Sequence, residues 1–143
     1  MIRPVNSAQS TFLTYTTGAA VNKGQICVLS GDTAVPAAEG VNSAVILGVA
    51  VENAASGALV KLYPADQEFE FSVYQGSTID IPLTTHQGVD YDIYVNGAAG
   101  DGSGEGEMYL DLNDTTGAFI RVNKIDAVRR VVTGRFFKSL IYV

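Results

Sequence analysis

Residues 68–73 read Glu-Phe-Glu-Phe-Ser-Val, an uninterrupted alternation of charged or polar side chains with apolar ones. Successive side chains of a β-strand point to opposite faces of the sheet, so Phe69, Phe71 and Val73 share one face. The stretch therefore predicts a strand with an apolar face and a polar face.

Three further segments alternate in the same way, at residues 79–83, 91–95 and 108–112. Pro82 restricts the first of them to a sheet edge or a bulge, because proline has no amide hydrogen to donate to the ladder. Residues 46–51 instead form a continuous apolar run, which is typical of a strand that is covered on both faces.

The composition favours strands along the whole chain. Val and Ile together number 26 against 9 Leu, and β-branched side chains suit the pleated surface of a sheet. No segment keeps the i, i+3, i+4, i+7 apolar pattern of a helix for three turns. Turn signals separate the apolar runs at the spacing of an all-β protein. We expect an all-β fold of ten to twelve short strands with little or no helix, arranged as small β-barrel or sandwich units.

Length and charge exclude several classes of protein. The 143 residues carry a net charge of −6, whereas nucleic-acid binding requires clustered Lys and Arg. No apolar run approaches the roughly 18 residues of a membrane span, and the first ten residues lack the apolar core of a signal peptide. A single Cys and a single His exclude a disulfide framework, a multi-thiolate metal site and any site that needs two histidines.

The chain divides into three parts. Residues 1–10 are small and polar and predict an extended N-terminal arm, whose removal is expected to leave the fold intact. Residues 11–74 form a first β unit and residues 75–143 a second, although one continuous β domain fits the pattern equally well.

Charge is unevenly distributed between the ends of the chain. Residues 1–120 hold 3 basic and 14 acidic residues, whereas residues 121–143 hold 6 basic residues and one acidic residue. Such asymmetry is a hint of docking, either onto an acidic partner or between subunits. The simpler interpretation is that these basic residues lie on solvent faces and pair with acidic neighbours.

Candidate catalytic and metal-binding residues are few. His86 lies between two strands without a recognisable nucleophile motif, and Cys27 lies within an apolar strand, as a small buried hydrophobe would. Residues 101–107 place oxygen-bearing side chains at the spacing of a calcium loop, but Leu112 stands where such a loop needs a bidentate Glu. Phosphate-binding glycine motifs are absent. We therefore expect no enzyme activity, cofactor, metal or small-molecule substrate.

Adjacent aromatic residues near the end of the chain predict an interface. Phe136 and Phe137 would point to opposite faces of one strand, so one ring lies outside the nearest core unless both faces are covered. Two-sided burial in a small chain indicates subdomain packing or an oligomer interface. The residues expected to contact a partner are Ile2, Arg3, Pro4, Val5, Arg129, Arg130, Phe136 and Phe137.

A turn-and-strand rhythm covers residues 18–63. It reads Asn-Lys-Gly-Gln-Ile-Cys-Val-Leu-Ser-Gly at 22–31, Ala-Val-Pro-Ala-Ala at 34–38, Ile-Leu-Gly-Val-Ala-Val-Glu-Asn-Ala-Ala-Ser-Gly at 46–57 and Val-Lys-Leu at 60–62. This rhythm resembles the small β modules of tailed-bacteriophage capsid decoration (cement) proteins. Residues 75–143 resemble no family that we can name.

The resemblance implies a structural virion protein with units of jelly-roll or β-tulip type. Such a protein is made in the host cytoplasm, binds the outer surface of the phage head and bridges neighbouring subunits of the major capsid protein. It also implies a homotrimer, whose symmetric docking multiplies weak contacts, and an arm that adds a strand to a neighbour's sheet. The alternative is a carbohydrate- or receptor-binding β module of a phage fibre or tail that uses exposed tyrosines such as Tyr94 or Tyr109.

Overall fold

A computed structural model describes residues 2–6, 11–40, 44–76, 78–96, 106–137 and 140–141. This part of the chain contains eleven β-strands and one short 3-10 turn at Thr84–His86. The strands form two antiparallel sheets. The prediction of an all-β fold with little helix is confirmed.

Six strands form the larger sheet: β1 (Ile2–Pro4), β7 (Phe69–Ser72), β8 (Asp90–Asn96), β9 (Glu107–Asp111), β10 (Ile120–Asp126) and β11 (Val131–Phe136). Their spatial order is β1, β7, β11, β10, β8, β9. The smaller sheet contains β2 (Leu13–Thr16), β3 (Ile26–Ser30), β4 (Thr33–Pro36), β5 (Ile46–Ala50) and β6 (Leu59–Pro64). Their order is β2, β6, β5, β3, β4.

The smaller sheet curls into a half-barrel because its two outer strands approach each other. Thr17, directly after β2, forms a parallel bridge with Ala34 of β4, and the Gly18 amide donates to the Ala34 carbonyl at 2.9 Å. The Thr17 hydroxyl is buried and donates to the Ala55 carbonyl at 2.6 Å. The curl encloses a small apolar cluster that contains Val21, Cys27, Ala34, Leu47, Ala50, Val60 and Leu62.

Strand β5 is buried along its whole length, as its continuous apolar sequence predicted. Ile46 and Val49 belong to the core between the sheets, whereas Leu47 and Ala50 belong to the cluster inside the half-barrel. A bulge in β5 interrupts the strict alternation of its side chains between the two faces. Cys27 of β3 pairs with Gly48 and the next residue of β3 pairs with Ile46, so Leu47 is the extra residue. The extra residue lets one short strand supply side chains to both cores.

The core between the sheets is built around phenylalanines. The Phe136 ring lies 5.3 Å from Phe69, 5.8 Å from Phe71 and 6.2 Å from Phe119, measured between ring centroids. Phe69 and Phe71 project from β7 on the face that the alternating sequence predicted. Aromatic rings at these separations stabilise a core beyond the area that they bury.

Two polar contacts tie the sheets together at one end. The Ile26 amide at the start of β3 donates to the Met108 sulfur at 3.2 Å in a buried setting. The buried Gln25 side chain donates from Nε2 to the Gly106 carbonyl at 2.6 Å, just before β9. These contacts satisfy groups that would otherwise be buried without a partner.

The N-terminal segment is part of the larger sheet rather than a separate arm. Ile2–Pro4 pairs antiparallel with β7, with Ile2 opposite Phe71, and Ile2 is 2% exposed. Ile2 joins Phe69 and Phe71 in the core between the sheets, so β1 extends the apolar face of β7 by one strand. Residues 7–10 lie outside the described residues. Strand β7 pairs with β11, so the larger sheet combines strands from both sides of residue 74.

The strand predicted at residues 79–83 is not formed. Ile79, Ile81 and Leu83 are 39%, 41% and 54% exposed, and the segment is held instead by the Asn113 side chain, whose Nδ2 donates to the Ile79 carbonyl at 3.0 Å. Alternation alone makes no strand where no neighbour is available to pair, and Pro82 removes one ladder donor.

We expect Gly48→Ala to lower the free energy of unfolding by about 2 kcal/mol or more. A Cβ at this position would collide with the Tyr63 carbonyl oxygen and lie 2.9 Å from its carbon, and this backbone belongs to the neighbouring strand β6. Urea denaturation measures the change. Thr14→Ala, on the exposed strand β2, is the control and should shift stability by at most about 0.5 kcal/mol; equal stability of the two variants contradicts the close approach.

We expect Ile2→Ala to cost about 2–4 kcal/mol, because it removes a buried side chain from the core. Val5, 56% exposed just beyond the same strand, offers the matched control, and Val5→Ala should change stability little. Thermal or urea unfolding of both variants is the measurement. If Ile2→Ala were as harmless as Val5→Ala, the segment would be an undocked arm after all.

Candidate partner-binding face

The outer face of the larger sheet is the face turned away from the phenylalanine core. Alternation places polar and charged residues there, opposite to the buried ones. In β11 Thr133 and Arg135 face outward while Val132 and Gly134 face inward. We call this surface the outer face; its charged residues are Arg3, Glu68, Glu70, Asp90, Arg121, Lys124, Asp126 and Arg135, joined by Arg129 from the β10–β11 turn.

A bulge in β10 brings more positive charge onto the outer face. The register shifts between Val122 and Lys124, so that Val122 pairs with Gly134 and Lys124 with Thr133. Arg121 and Lys124 are three residues apart, and strict alternation would place them on opposite faces. The extra residue, Asn123, allows both to face outward.

Two of the arginines expected to contact a partner meet on one carboxylate. Arg3 Nη2 lies 2.8 Å and Arg129 Nη2 lies 2.9 Å from Glu70 Oε1. Burial opposes ionisation of Glu70, but the hydrogen bonds and charges of Arg129 and Arg3 outweigh it and lower the pKa of this carboxyl. One anion therefore holds two exposed guanidinium groups in place.

A second set of charges forms a row across the sheet, which we call the arginine row: Glu68 directly before β7, Arg135 of β11, Arg121 of β10 and Asp90 of β8. Arg121 pairs in register with Arg135 on one side and with Asp90 on the other. It donates to Asp90 through Nε at 2.7 Å and Nη2 at 3.0 Å. Arg135 Nη2 lies 3.6 Å from Glu68 Oε1. Two like charges thus stand directly opposite each other in the middle of the row, an arrangement that destabilises a sheet.

A cleft of about 360 Å³ opens beside the arginine row and is lined by Asp90, Arg121, Asn123, Arg135, Phe136 and Phe137. Phe136 is 4% exposed and packs into the core, whereas Phe137 is only half-buried. The two neighbouring rings are therefore unequally covered, and Phe137 lies directly after the end of β11 rather than within it. Arg135 also lines two further clefts, of about 760 and 340 Å³.

The remaining residues of the expected contact set are spread over several places. Ile2 and Pro4 face the interior, and Val5 is exposed. Arg130 lies in the β10–β11 turn with a positive φ of 53°, where its Nη1 donates to Gln75 at 3.0 Å and lies 3.5 Å from Asp80. The structure thus joins Arg3 with Arg129, and Phe136 with Phe137, but does not bring all eight residues together.

Local ion pairs account for most of the basic C-terminal stretch. Arg121, Arg129, Arg130 and Arg135 each lie within 4 Å of an acidic side chain. Lys124 has no such partner in the part of the chain described, and Lys138 lies outside it. This supports the interpretation that these residues lie on a solvent face and pair with acidic neighbours. Sequence reasoning missed Arg121, Asn123 and Arg135 as members of one cleft, because their proximity depends on strand register.

His86 and Cys27 have structural surroundings. His86 Nδ1 accepts a hydrogen bond from the Leu83 amide at 2.8 Å, and its ring stands edge-on to Tyr91 with centroids 5.9 Å apart. Cys27 is fully buried, and burial raises the pKa of its thiol to about 12. A protonated thiol is a poor nucleophile. Residues 101–105 of the calcium-like segment lie outside the described residues.

Three tyrosines cluster at the far end of β8 and β9. Tyr94 of β8 pairs in register with Tyr109 of β9. The Tyr94 ring stacks on Tyr74 with centroids 3.7 Å apart and an interplanar angle of 16°, and Tyr109 lies 6.2 Å from Tyr74. Burial and a hydrogen bond to Glu107 raise the pKa of Tyr109 to about 12. The predicted Tyr94 and Tyr109 are thus joined by Tyr74, which the sequence did not single out.

Asp92 is the one acidic side chain fully buried among the described residues, at 1% exposure. Its Oδ2 accepts from the Gly40 amide and its Oδ1 from its own neighbour Ile93, each at 2.8 Å. Burial raises the pKa of this carboxyl to about 6; the two amide hydrogen bonds oppose the shift, and the charges of Asp114 and Glu39 add to it. Asp92 therefore anchors the loop after β4 to β8 at the expense of burying a charge near neutral pH.

The raised pKa of Asp92 predicts a pH dependence of stability. Its pKa in the unfolded chain is about 3.9, so the folded state holds the proton more tightly. The protonated Asp92 carboxyl therefore adds to the free energy of unfolding. This stabilisation is complete below about pH 4 and is lost as the pH rises through about 6. Measured by urea unfolding, wild-type stability should therefore fall relative to Asp92→Asn between pH 4 and pH 7.

The test compares how steeply the free energy of unfolding changes with pH in the two proteins. A constant difference between them is not informative, because the Asn side chain of Asp92→Asn also alters the hydrogen bond from the Gly40 amide. Asp32→Asn, at an exposed position in the β3–β4 turn, should leave the wild-type slope unchanged. Parallel curves for wild type and Asp92→Asn contradict the assignment.

Comparison with known proteins adds no family to these observations. No protein-family model matches the chain, and no curated protein is significantly similar to it in sequence. Within the described ranges, no group of three or more His, Cys, Asp or Glu is arranged to hold a metal ion. No helix in the same ranges is long and apolar enough to cross a membrane. Function must therefore be argued from the fold and from the outer face.

Proposed function

We propose that this chain is a structural protein of a tailed-bacteriophage virion that decorates the outer surface of the head. It binds the major capsid protein, cements neighbouring capsid subunits and thereby stabilises the head, and it acts as a homotrimer. In this proposal it carries out no reaction and uses no cofactor, nucleic acid or membrane.

The single observation that carries the proposal is where the cement-like rhythm lies in the fold. Residues 18–63 include β3, β4, β5 and all of β6 but its last residue, and these are four of the five strands of the half-barrel. The bridge between Thr17 and Ala34 draws its edges together. The resemblance thus coincides with one structural unit, rather than with strands scattered over both sheets.

The outer face supports a role in docking. Its exposed arginines retain between 52% and 59% of their side-chain surface, and clefts lie beside Arg135. Arginine and aromatic residues next to one another are typical of energetically important positions in protein interfaces. A trimer would present three such faces to the capsid at once, and multivalent attachment converts modest contacts into firm binding.

Binding to assembled heads tests the proposal directly. Purified protein is mixed with expanded empty heads assembled from the major capsid protein of the same genome, and sedimentation measures co-pelleting. We expect saturable binding and heads that resist heat or urea better than bare heads, because a ligand that binds only the assembled state stabilises it. Size-exclusion chromatography with light scattering should give the mass of three chains of 15.1 kDa each.

A strict monomer that fails to pellet with heads contradicts the proposal. The alternative is the carbohydrate- or receptor-binding module of a fibre or tail, and the stacked Tyr74 and Tyr94 rings beside Tyr109 favour it. Glycan-array binding that is lost in Tyr109→Ala, together with no binding to heads, would support that alternative.

A further inference from the structure

We infer that the cleft beside the arginine row binds an acidic segment of a partner protein, through carboxylate groups that pair with Arg121 and Arg135. The inference rests on the proposed function only for the identity of the partner, the major capsid protein. The chemistry of recognition is argued from the cleft itself.

Both arginines of the cleft have unused hydrogen-bonding capacity. A guanidinium group has five N–H donors. Arg121 uses Nε and Nη2 on Asp90, which leaves Nη1 without a bond within the described ranges. Arg135 reaches Glu68 only at 3.6 Å, which is too long for a hydrogen bond. Both guanidinium groups can therefore receive a further carboxylate, and Arg with carboxylate is among the strongest charged pairs in proteins.

The two guanidinium groups also repel each other. Arg121 and Arg135 stand opposite each other in register, and their repulsion is relieved only from the ends of the row, by Asp90 and Glu68. An anion placed between the two guanidinium groups would interact favourably with both. The free protein therefore carries a local electrostatic cost that a partner's carboxylate removes.

The shape of the cleft favours a protein side chain as its occupant. The cleft lies on an open sheet face, and both arginines are more than half exposed, at 59% and 53%. Half-buried Phe137 lines the same cleft. An apolar ring beside two guanidinium groups suits a Glu side chain, which has methylene groups next to its carboxylate.

The test compares two double variants that remove equal charge from the same face. Arg121→Gln with Arg135→Gln empties the cleft of positive charge. Arg3→Gln with Arg129→Gln removes the two arginines bound to Glu70, which are exposed to a similar degree, 57% and 52%. The probe is an amidated hexaglutamate peptide, with hexalysine as the control peptide, and binding is measured by titration calorimetry and by NMR. Thermal unfolding checks that each variant folds.

We expect hexaglutamate to bind the wild-type chain with an affinity that falls as salt rises, and to shift the amide signals of Asn123 and Phe137. The Arg121 and Arg135 double variant should bind at least about tenfold more weakly, whereas the Arg3 and Arg129 variant should stay within about threefold of wild type. No binding to wild type, or equal weakening in both double variants, overturns the inference. Self-association that the Arg121 and Arg135 substitutions abolish also overturns it, since the occupant would then be a second copy.

Binding to phage heads separates this inference from the proposed function. Loss of head binding in the Arg121 and Arg135 variant alone supports the cleft as the capsid contact. If the Arg121 and Arg135 variant binds heads as strongly as the wild-type chain, the cleft is not the capsid contact, while the decoration role stands. Peptide binding by a protein that does not bind heads overturns the decoration role and leaves an acidic protein partner as the ligand.

Discussion

The fold depends on the two-sided burial of strand β5. A strand of five residues supplies Ile46 and Val49 to the core between the sheets and Leu47 and Ala50 to the interior of the half-barrel. Both hydrophobic clusters therefore share this one element. The bulge at Leu47 and the absence of a side chain at Gly48 make this possible, because β6 passes too close to Gly48 for a Cβ.

The outer face follows from the same constraint. The larger sheet uses its apolar face to cover β3 and β5, so its charged face is left to solvent. The ion pairs there contribute little to stability individually, as exposed pairs usually do. Their effect is to fix the positions of exposed guanidinium groups, with Glu70 holding two and Asp90 holding one. Positioned charges of this kind influence recognition and rates of association more than folding.

Hydrophobic patterns along the chain predicted two kinds of strand: those with one apolar and one polar face, and those with two apolar faces. The segments 68–73 and 46–51 contain the strands Phe69–Ser72 and Ile46–Ala50, with the expected faces buried, because side-chain alternation is set by the strand backbone itself. The same kind of pattern failed at residues 79–83, where no neighbouring strand pairs with the segment. Residues 2–4 show the converse, since three residues with no strand pattern pair with β7, where Ile2 joins the core that Phe69 and Phe71 form.

The candidate site shows the same division between local and long-range information. Sequence alone identified an all-β chain and a basic C-terminal stretch, since each follows from composition or from neighbours along the chain. Only the tertiary structure placed Arg121 opposite Arg135 and opened a cleft beside them. That placement depends on a four-residue turn and on the bulge at Asn123. A slip of one residue would turn every side chain of β10 to the opposite face, and packing against the core is what prevents it.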